Sequence, residues 1–198
     1  SVTTLAVGTE NEGKMSPKNL QSTTITDELK LATNFKSKVI GISIKDRGAI
    51  LPAGHFADWA FWYAKSGEFI SSSFYGEKLP TWVTEFNNQK NYLPYIEKGW
   101  GLLNPKESYN ESLADDNNAY EGKLYKKMPF FPYNMKEMLT NNDPSILRTS
   151  PYGNNIIADF AKKAIENEQM GKDNITDFLA LSFSSTDYIG HTFGPRSV

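Results

Sequence analysis

Apolar residues in this chain fall in short runs whose period changes repeatedly, and those changes predict its elements. The run VIGISI at 39–44 is β-branched at Val39, Ile40, Ile42 and Ile44 and reads as a buried strand. The run FLAL at 178–181, between Asp177 and Ser182, reads as a second buried strand of a parallel sheet. Leu5-Ala6-Val7, ending at Gly8, is a shorter candidate. The aromatic runs WAFWY at 59–63 and FISSSFY at 69–75 flank Lys65-Ser66-Gly67, the pattern of a hairpin around a glycine-containing turn.

Helical spacing alternates with these runs. Ser16-Pro17 is a cap followed by proline at the first helical position. Residues 27–35 bring Leu29, Ala32 and Phe35 near helical spacing, with Thr24 or Thr26 as cap. Pro80 opens a helix over 81–86 with Trp82, Val83 and Phe86 on one side. The clearest amphipathic helix covers 155–170. It sets Ile156, Ile157, Phe160, Ala161, Ala164 and Ile165 against Asp159, Lys162, Lys163 and Glu166, and Gly171 stops it. Helix feeding strand, at two places, is the αβ half of a βαβ unit, so the class is α/β. Between 87 and 142 periodicity is lost. The DDNN at 115–118 is a polar turn, and the MPFFPY at 128–133 is too rich in proline for a helix or a central strand. This region reads as an irregular cap over the sheet's edge, with aromatics that pack on one another.

Composition narrows the function classes. The chain has 198 residues, a net charge of −2 from 21 basic and 23 acidic side chains, two histidines and no cysteine. That length suits one sizeable domain. Interspersed charge argues against a nucleic-acid or membrane-surface patch, and no run approaches the ~20 apolar residues of a membrane span. Without cysteine there is neither disulfide nor thiol catalysis. The first residue is Ser1 rather than Met, as in a processed or trimmed chain. With so few histidines, a metal site must lean on carboxylates or on residues outside this chain.

Candidate chemistry follows both central strands, at the carboxyl ends where open parallel sheets collect ligands. After 178–181 come Asp187 and His191, four positions apart, with Gly190 and Gly194 beside them. Carboxylate oxygen and imidazole nitrogen suit Zn²⁺ at ~2.0–2.2 Å. The same spacing also fits Asp187 capping a turn with His191 hydrogen-bonded nearby. After 39–44 come Lys45 and Arg47, one residue apart and just before Gly48. They are placed to hold an anion, or to be surface charges of a solvated loop. His55 is a third metal ligand in principle, and reads first as a structural histidine after Pro52-Ala53-Gly54.

Taken together, SIKDRGAILPAGH (43–55) and FLALSFSSTDYIGHTFGP (178–195) resemble the alkaline phosphatase superfamily, in its type I phosphodiesterase and nucleotide pyrophosphatase branch. The nearest members are the phosphate-irrepressible, PafA-type alkaline phosphatases of bacteria. SPKNL (16–20), TDELKLATNFKSKVIGIS (26–43) and SPYGNNIIADFAKKAI (150–165) extend the resemblance over nearly the whole chain, most weakly at 87–142. The resemblance implies a fragment of an alkaline-phosphatase-like three-layer α/β sandwich. Residues 1–198 would be the central part of one domain, with the aromatic hairpin and irregular cap inserted at 56–145.

For function, it implies a periplasmic or secreted two-zinc phosphate-monoester hydrolase acting through a covalent phospho-threonine. Asp187 and His191 would ligate one zinc, and Lys45 and Arg47 would contact non-bridging phosphate oxygens. In that family the nucleophilic threonine and the other metal ligands lie upstream and downstream of the stretch matched here. The chain is therefore expected to be inactive alone. Its partners would be phosphate monoesters and the rest of the parent chain, with no nucleic acid and no membrane span. Two other readings compete. One is a phosphodiesterase or nucleotide pyrophosphatase of the same superfamily. The other is a non-catalytic binding module, which would expose Trp59, Trp62, Trp82 and Trp100 as a patch and leave Lys45, Arg47, Asp187 and His191 apart.

Overall fold

In the computed structural model, residues 4–9, 12, 14–109, 119, 121–124, 130–139, 143–194 and 197 are described. The polar turn expected at 115–118, and Met128-Pro129 of the proline-rich run, lie outside the described residues.

The β-branched run at 39–44 forms β2 (Val39–Ser43), buried at every position. On one side it pairs in parallel with β3 (Trp59–Tyr63), and on the other with β5 (Phe178–Ser182). The hairpin forms as expected. β4 (Phe69–Ser72) runs antiparallel to β3, and the short β1 (Ala6–Val7) antiparallel to β4. The sheet order is β1-β4-β3-β2-β5, so the hairpin continues the sheet that holds the candidate site.

Side-chain alternation along these strands builds two different faces. Ile40, Ile42, Phe61, Tyr63 and Phe69 face the amphipathic helix α6 (Pro151–Asn167). Phe160 of that helix stacks on Phe69 at 3.7 Å between centroids and meets Phe61 edge-on at 5.4 Å. The other face is built small. Ala60, Trp62, Ala64 and Ile70 pack against Ala49, Ile50 and Ala53 of α2 (Asp46–Ala53). Helices therefore cover both faces of the sheet, in three layers. At the centre of the small face is Gly41, where a Cβ would stand 2.2 Å from the Ala49 carbonyl oxygen and 2.9 Å from the Ala53 Cβ. Only glycine lets α2 come this close to β2.

Four departures from the sequence reading matter for the site. Asp46–Ala53 is helix α2, not a loop, despite Gly48 and Pro52. The proline sits near the helix end, and Gly54 at φ +78° terminates it. The strand after Asp177 is not buried: β5 is half-exposed, with Leu181 at 38%. It is an edge of the sheet among the described residues, paired only on its β2 side. Helix α6 starts earlier than expected, at Pro151, and ends at Asn167 with Glu168 as its C-cap, short of Gly171; Ile165 is 41% exposed rather than part of the buried face. Finally, residues 185–193 form helix α7 (Ser185–Phe193) directly after β5.

The remaining helices form near their expected places, but α1 (Ile25–Ala32) stops short of Phe35, leaves Ala32 and Phe35 exposed, and buries Thr26, Asp27 and Lys30 instead. Ser16 caps a 3-10 turn at Pro17–Asn19. Helix α1 carries a full capping box between Thr24 and Asp27. Helix α3 (Thr81–Asn88) follows Pro80 and buries Val83 and Phe86. The irregular region contains α4 (Leu93–Lys98) and α5 (Met135–Met138). Trp100 and Tyr133 join there through a two-residue bridge, and Trp100, Phe131 and Tyr133 pack on one another with centroids 4.8–5.3 Å apart.

Gly41→Ala is expected to cost about 1–3 kcal/mol by forcing α2 off the sheet. A lower urea midpoint with an unchanged slope would register it, whereas a wild-type midpoint would refute the close-packing account.

Candidate active site

The two central parallel strands end at the same edge of the sheet, and each turns at once into a helix. Strand β2 passes through Ile44 and Lys45 into α2, and β5 passes through Phe183 and Ser184 into α7. This brings the first turns of both helices together. Lys45 occupies the N-cap of α2, Arg47 lies in that helix's first turn, and Asp187 lies in the first turn of α7. A negative side chain at a helix N-terminus is favourable and a positive one is not. Asp187 therefore suits its position, as does Asp46 in the first turn of α2, while Lys45 and Arg47 flank Asp46 with positive charge where the helix already presents N–H groups.

The four expected residues converge. The Lys45 ammonium bonds Asp187 Oδ2 and lies 4.6 Å from the centroid of the Tyr188 ring. Asp187 Oδ1 is 3.4 Å from His191 Nε2, since a four-residue separation on a helix puts both side chains on one face. Arg47 is close enough for its charge to act on Asp187. The Lys45 hydrogen bond is the main reason the Asp187 carboxyl is held below the ordinary carboxylate range. Partial desolvation opposes it, and the charges of Lys45, His191 and Arg47 reinforce it. Beside them a cleft of about 330 Å³ is lined by Lys45, Arg47, Trp62, Arg148 and Tyr188, among others.

Beneath the cations lies a support that the sequence reading did not single out. Ser182 and Ser184 hydroxyls are 3.0 Å apart, Ser43 and Ser184 are 3.5 Å apart, and Ser43 Oγ accepts the Lys45 N–H at 3.1 Å. A side chain at Gly48 would run into the Ser43 hydroxyl at 2.5 Å. These groups tie the two strand ends to the start of α2. Tyr188 was also missed. Adjacent positions on a helix do not face each other, so a reading focused on Asp187 and His191 passes over it.

His55 does not join this group. Its Nδ1 meets Asp27 Oδ2 at 3.1 Å and its Nε2 meets the Leu20 carbonyl at 3.1 Å, so both ring nitrogens are engaged at the far end of α2. Among the described residues, no cluster of three or more His, Cys, Asp or Glu could hold a metal ion. Asp187 and His191 remain a pair. Nor do the tryptophans form an exposed patch. Trp62 is buried at 4%, and Trp59, Trp82 and Trp100 pack partly buried against the main core.

No family model matches the chain. Individual relatives do match it closely. It is 52% identical over 191 residues to alkaline phosphatase PhoV of Synechococcus elongatus, covering 95% of this chain and 34% of PhoV. It is 47% identical over 196 residues to alkaline phosphatase PafA of Elizabethkingia meningoseptica, covering 97% and 36%. The crystal structure of wild-type PafA superposes with a TM-score of 0.94 at 46% identity, covering 99% of this chain and 38% of that one.

The chain matches one segment of the PafA-type alkaline phosphatases. Another relative, 51% identical over 197 residues, bears the name calcium-transporting ATPase in Myroides odoratus and is covered to 36%. The chain thus spans 34–36% of the length of these three relatives. Among the described residues, no helix is long and apolar enough to cross a membrane.

The Asp27–His55 corner gives a pH test. Burial pushes the Asp27 carboxyl up, but hydrogen bonds from the Thr24 and Phe56 N–H groups, the His55 ring and the Thr24 hydroxyl outweigh it and hold it below its ordinary 3.8. A depressed folded value means that this carboxylate's stabilisation is complete above pH ~4 and is lost as pH falls through the folded value. Urea midpoints should therefore be insensitive to Asp27 between pH 7 and 5 and fall below pH 4. Asp27→Asn should start about 1–3 kcal/mol lower and flatten that fall; a fall of the same size in the variant would refute the assignment.

Proposed function

We propose that this chain carries the phosphate-holding part of a zinc-dependent phosphate-monoester hydrolase. The observation that carries the reading is the meeting of Lys45, Arg47, Asp187 and His191 where β2 and β5 end. An ammonium and a forked guanidinium, together with the first turn of α2, suit a group with charge on several oxygens. A known structure of a PafA variant supports this: it carries substitutions at a threonine, an asparagine, and a lysine and an arginine two positions apart. Lys45 and Arg47 have the same spacing.

The donor chemistry of Asp187 and His191 fits zinc. The two donor atoms are 3.4 Å apart, and the side chains are 50% and 79% exposed, open to a cation and to further ligands from outside the described residues. When bound, a two-zinc centre supplies Lewis-acid polarisation of phosphoryl oxygens. This chain's own contribution is to bind and orient. Lys45 and Arg47 hold non-bridging oxygens, and the cleft beside them admits the ester's alcohol portion. On this reading the threonine nucleophile and the other zinc ligands lie outside the chain, and the location is periplasmic or secreted. The Lys–Arg pair favours monoesters over diesters, because a diester has one fewer charged oxygen to hold.

In the full-length enzyme, Lys45→Ala and Arg47→Ala should each cost roughly 10- to 100-fold in kcat/KM on a phosphate monoester and far less on a diester. Equal losses on both substrates would sink the role. The 198-residue chain alone is expected to turn over p-nitrophenyl phosphate at background, and robust turnover would contradict the division of the site.

A further inference from the structure

We infer, resting on the phosphate-monoester reading above, that Tyr188 is a positioning residue for Lys45. Its ring face keeps the ammonium over the cleft when the Asp187 carboxylate is engaged by another cation. In the structure the Lys45 ammonium has two interactions at once: the Asp187 carboxylate and, at 4.6 Å, the Tyr188 ring. They differ in what can take them away. The Asp187 carboxylate also faces His191, with which it forms a donor pair open to a cation. A cation there draws on the same negative charge that holds Lys45, and it repels the ammonium. The quadrupole of the Tyr188 ring has no such competitor.

The surrounding geometry makes the ring a fixed platform. Tyr188 is half-buried on α7 and packs against the main core, so it cannot follow a departing lysine. At its other end Lys45 is anchored by its N–H on Ser43 Oγ, and its side chain is only 14% exposed. A lysine stem has four rotatable carbons and a strongly hydrated head. With Asp187 engaged elsewhere, the aromatic face is the other side-chain contact the ammonium has among the described residues, and it holds it at the cleft that Arg47 also lines. Asp187 and Tyr188 are thus adjacent residues with successive duties toward one cation.

Kinetics of the full-length, metal-loaded enzyme test this with Tyr188→Leu, Tyr188→Phe, Lys45→Ala and the Tyr188→Leu/Lys45→Ala double variant. Tyr188→Leu should lower kcat/KM on a phosphate monoester roughly 3- to 30-fold and leave a diester nearly unaffected. Tyr188→Phe keeps the ring and should recover most of that loss. In the Lys45→Ala background, Tyr188→Leu should add nothing, because it acts only through the ammonium. An independent readout needs neither metal nor turnover. In NMR spectra of the metal-free protein, the Lys45 Cε protons should be shifted upfield by the ring and return to the ordinary lysine position in Tyr188→Leu. Additive losses, equal losses on monoester and diester, or an unshifted Lys45 resonance overturn the positioning role. If Lys45→Ala leaves monoester hydrolysis unchanged, the phosphate-holding reading itself fails, and this inference with it.

Discussion

The contact on which the site depends is the close approach of α2 to β2 across Gly41. A backbone carbonyl, that of Ala49, lies where a side chain at 41 would be. Strand and helix can therefore be joined by the shortest of links, Ile44 and Lys45, and the helix begins as soon as the strand ends. Any thicker residue at 41 moves α2 outward, and with it the backbone that carries Lys45 and Arg47. The two faces of the sheet share this burden unequally. The α6 face is filled by large rings around Phe160, and the α2 face by alanines and one glycine. The first supplies burial, at roughly 25 cal/mol per Å² of apolar surface. The second supplies proximity, and the candidate chemistry sits on the second.

Electrostatics at the strand ends follow from that geometry. Two helix N-termini meet there, and one is headed by Lys45 with Arg47 in its first turn. For stability alone this is a poor choice, since cations repel the positive end of a helix. Two carboxylates offset this charge among the described residues: Asp46 stands in the same first turn and accepts the Arg47 N–H, and Asp187 comes from α7. Asp187 takes the Lys45 ammonium, while Arg47 remains exposed. The physical content of the phosphate reading is therefore the placement of two cationic side chains together at a helix start, not a surplus of positive charge.

How far the sequence carried this can be judged element by element. Strand β2, the hairpin and α6 were legible because their periods are clean, and the start of α1 because Thr24 is a conventional cap. The four site residues were legible from two local motifs, and their convergence follows from both motifs closing adjacent parallel strands. Helix α2 was hidden by Gly48 and Pro52, which read as loop residues. Here Gly48 makes room for the Ser43 hydroxyl, and Pro52 falls in the last turn, where its ring does little harm. Strand β5 was misjudged because an apolar run reports what a strand can bury, not what covers it. The Ser43–Ser184 and Lys45–Tyr188 contacts were illegible for a different reason: each joins segments some 140 residues apart.

The Lys45–Asp187 pair also bears on how such a site would work as a unit. On the proposed reading, one carboxylate serves two cations that cannot both have it in full: the lysine and a metal at Asp187 and His191. Without the metal, the ammonium is tied to Asp187 and withdrawn from an incoming anion. Were a metal held by Asp187 and His191, the carboxylate's hold on Lys45 would weaken and leave the ammonium free for an anion. Phosphate affinity at the Lys–Arg pair and cation occupancy at the Asp–His pair would then be linked through a single side chain, and by reciprocity each would strengthen the other. This coupling requires that the released ammonium not drift into water, so the residue next to Asp187 matters as much as Asp187 itself.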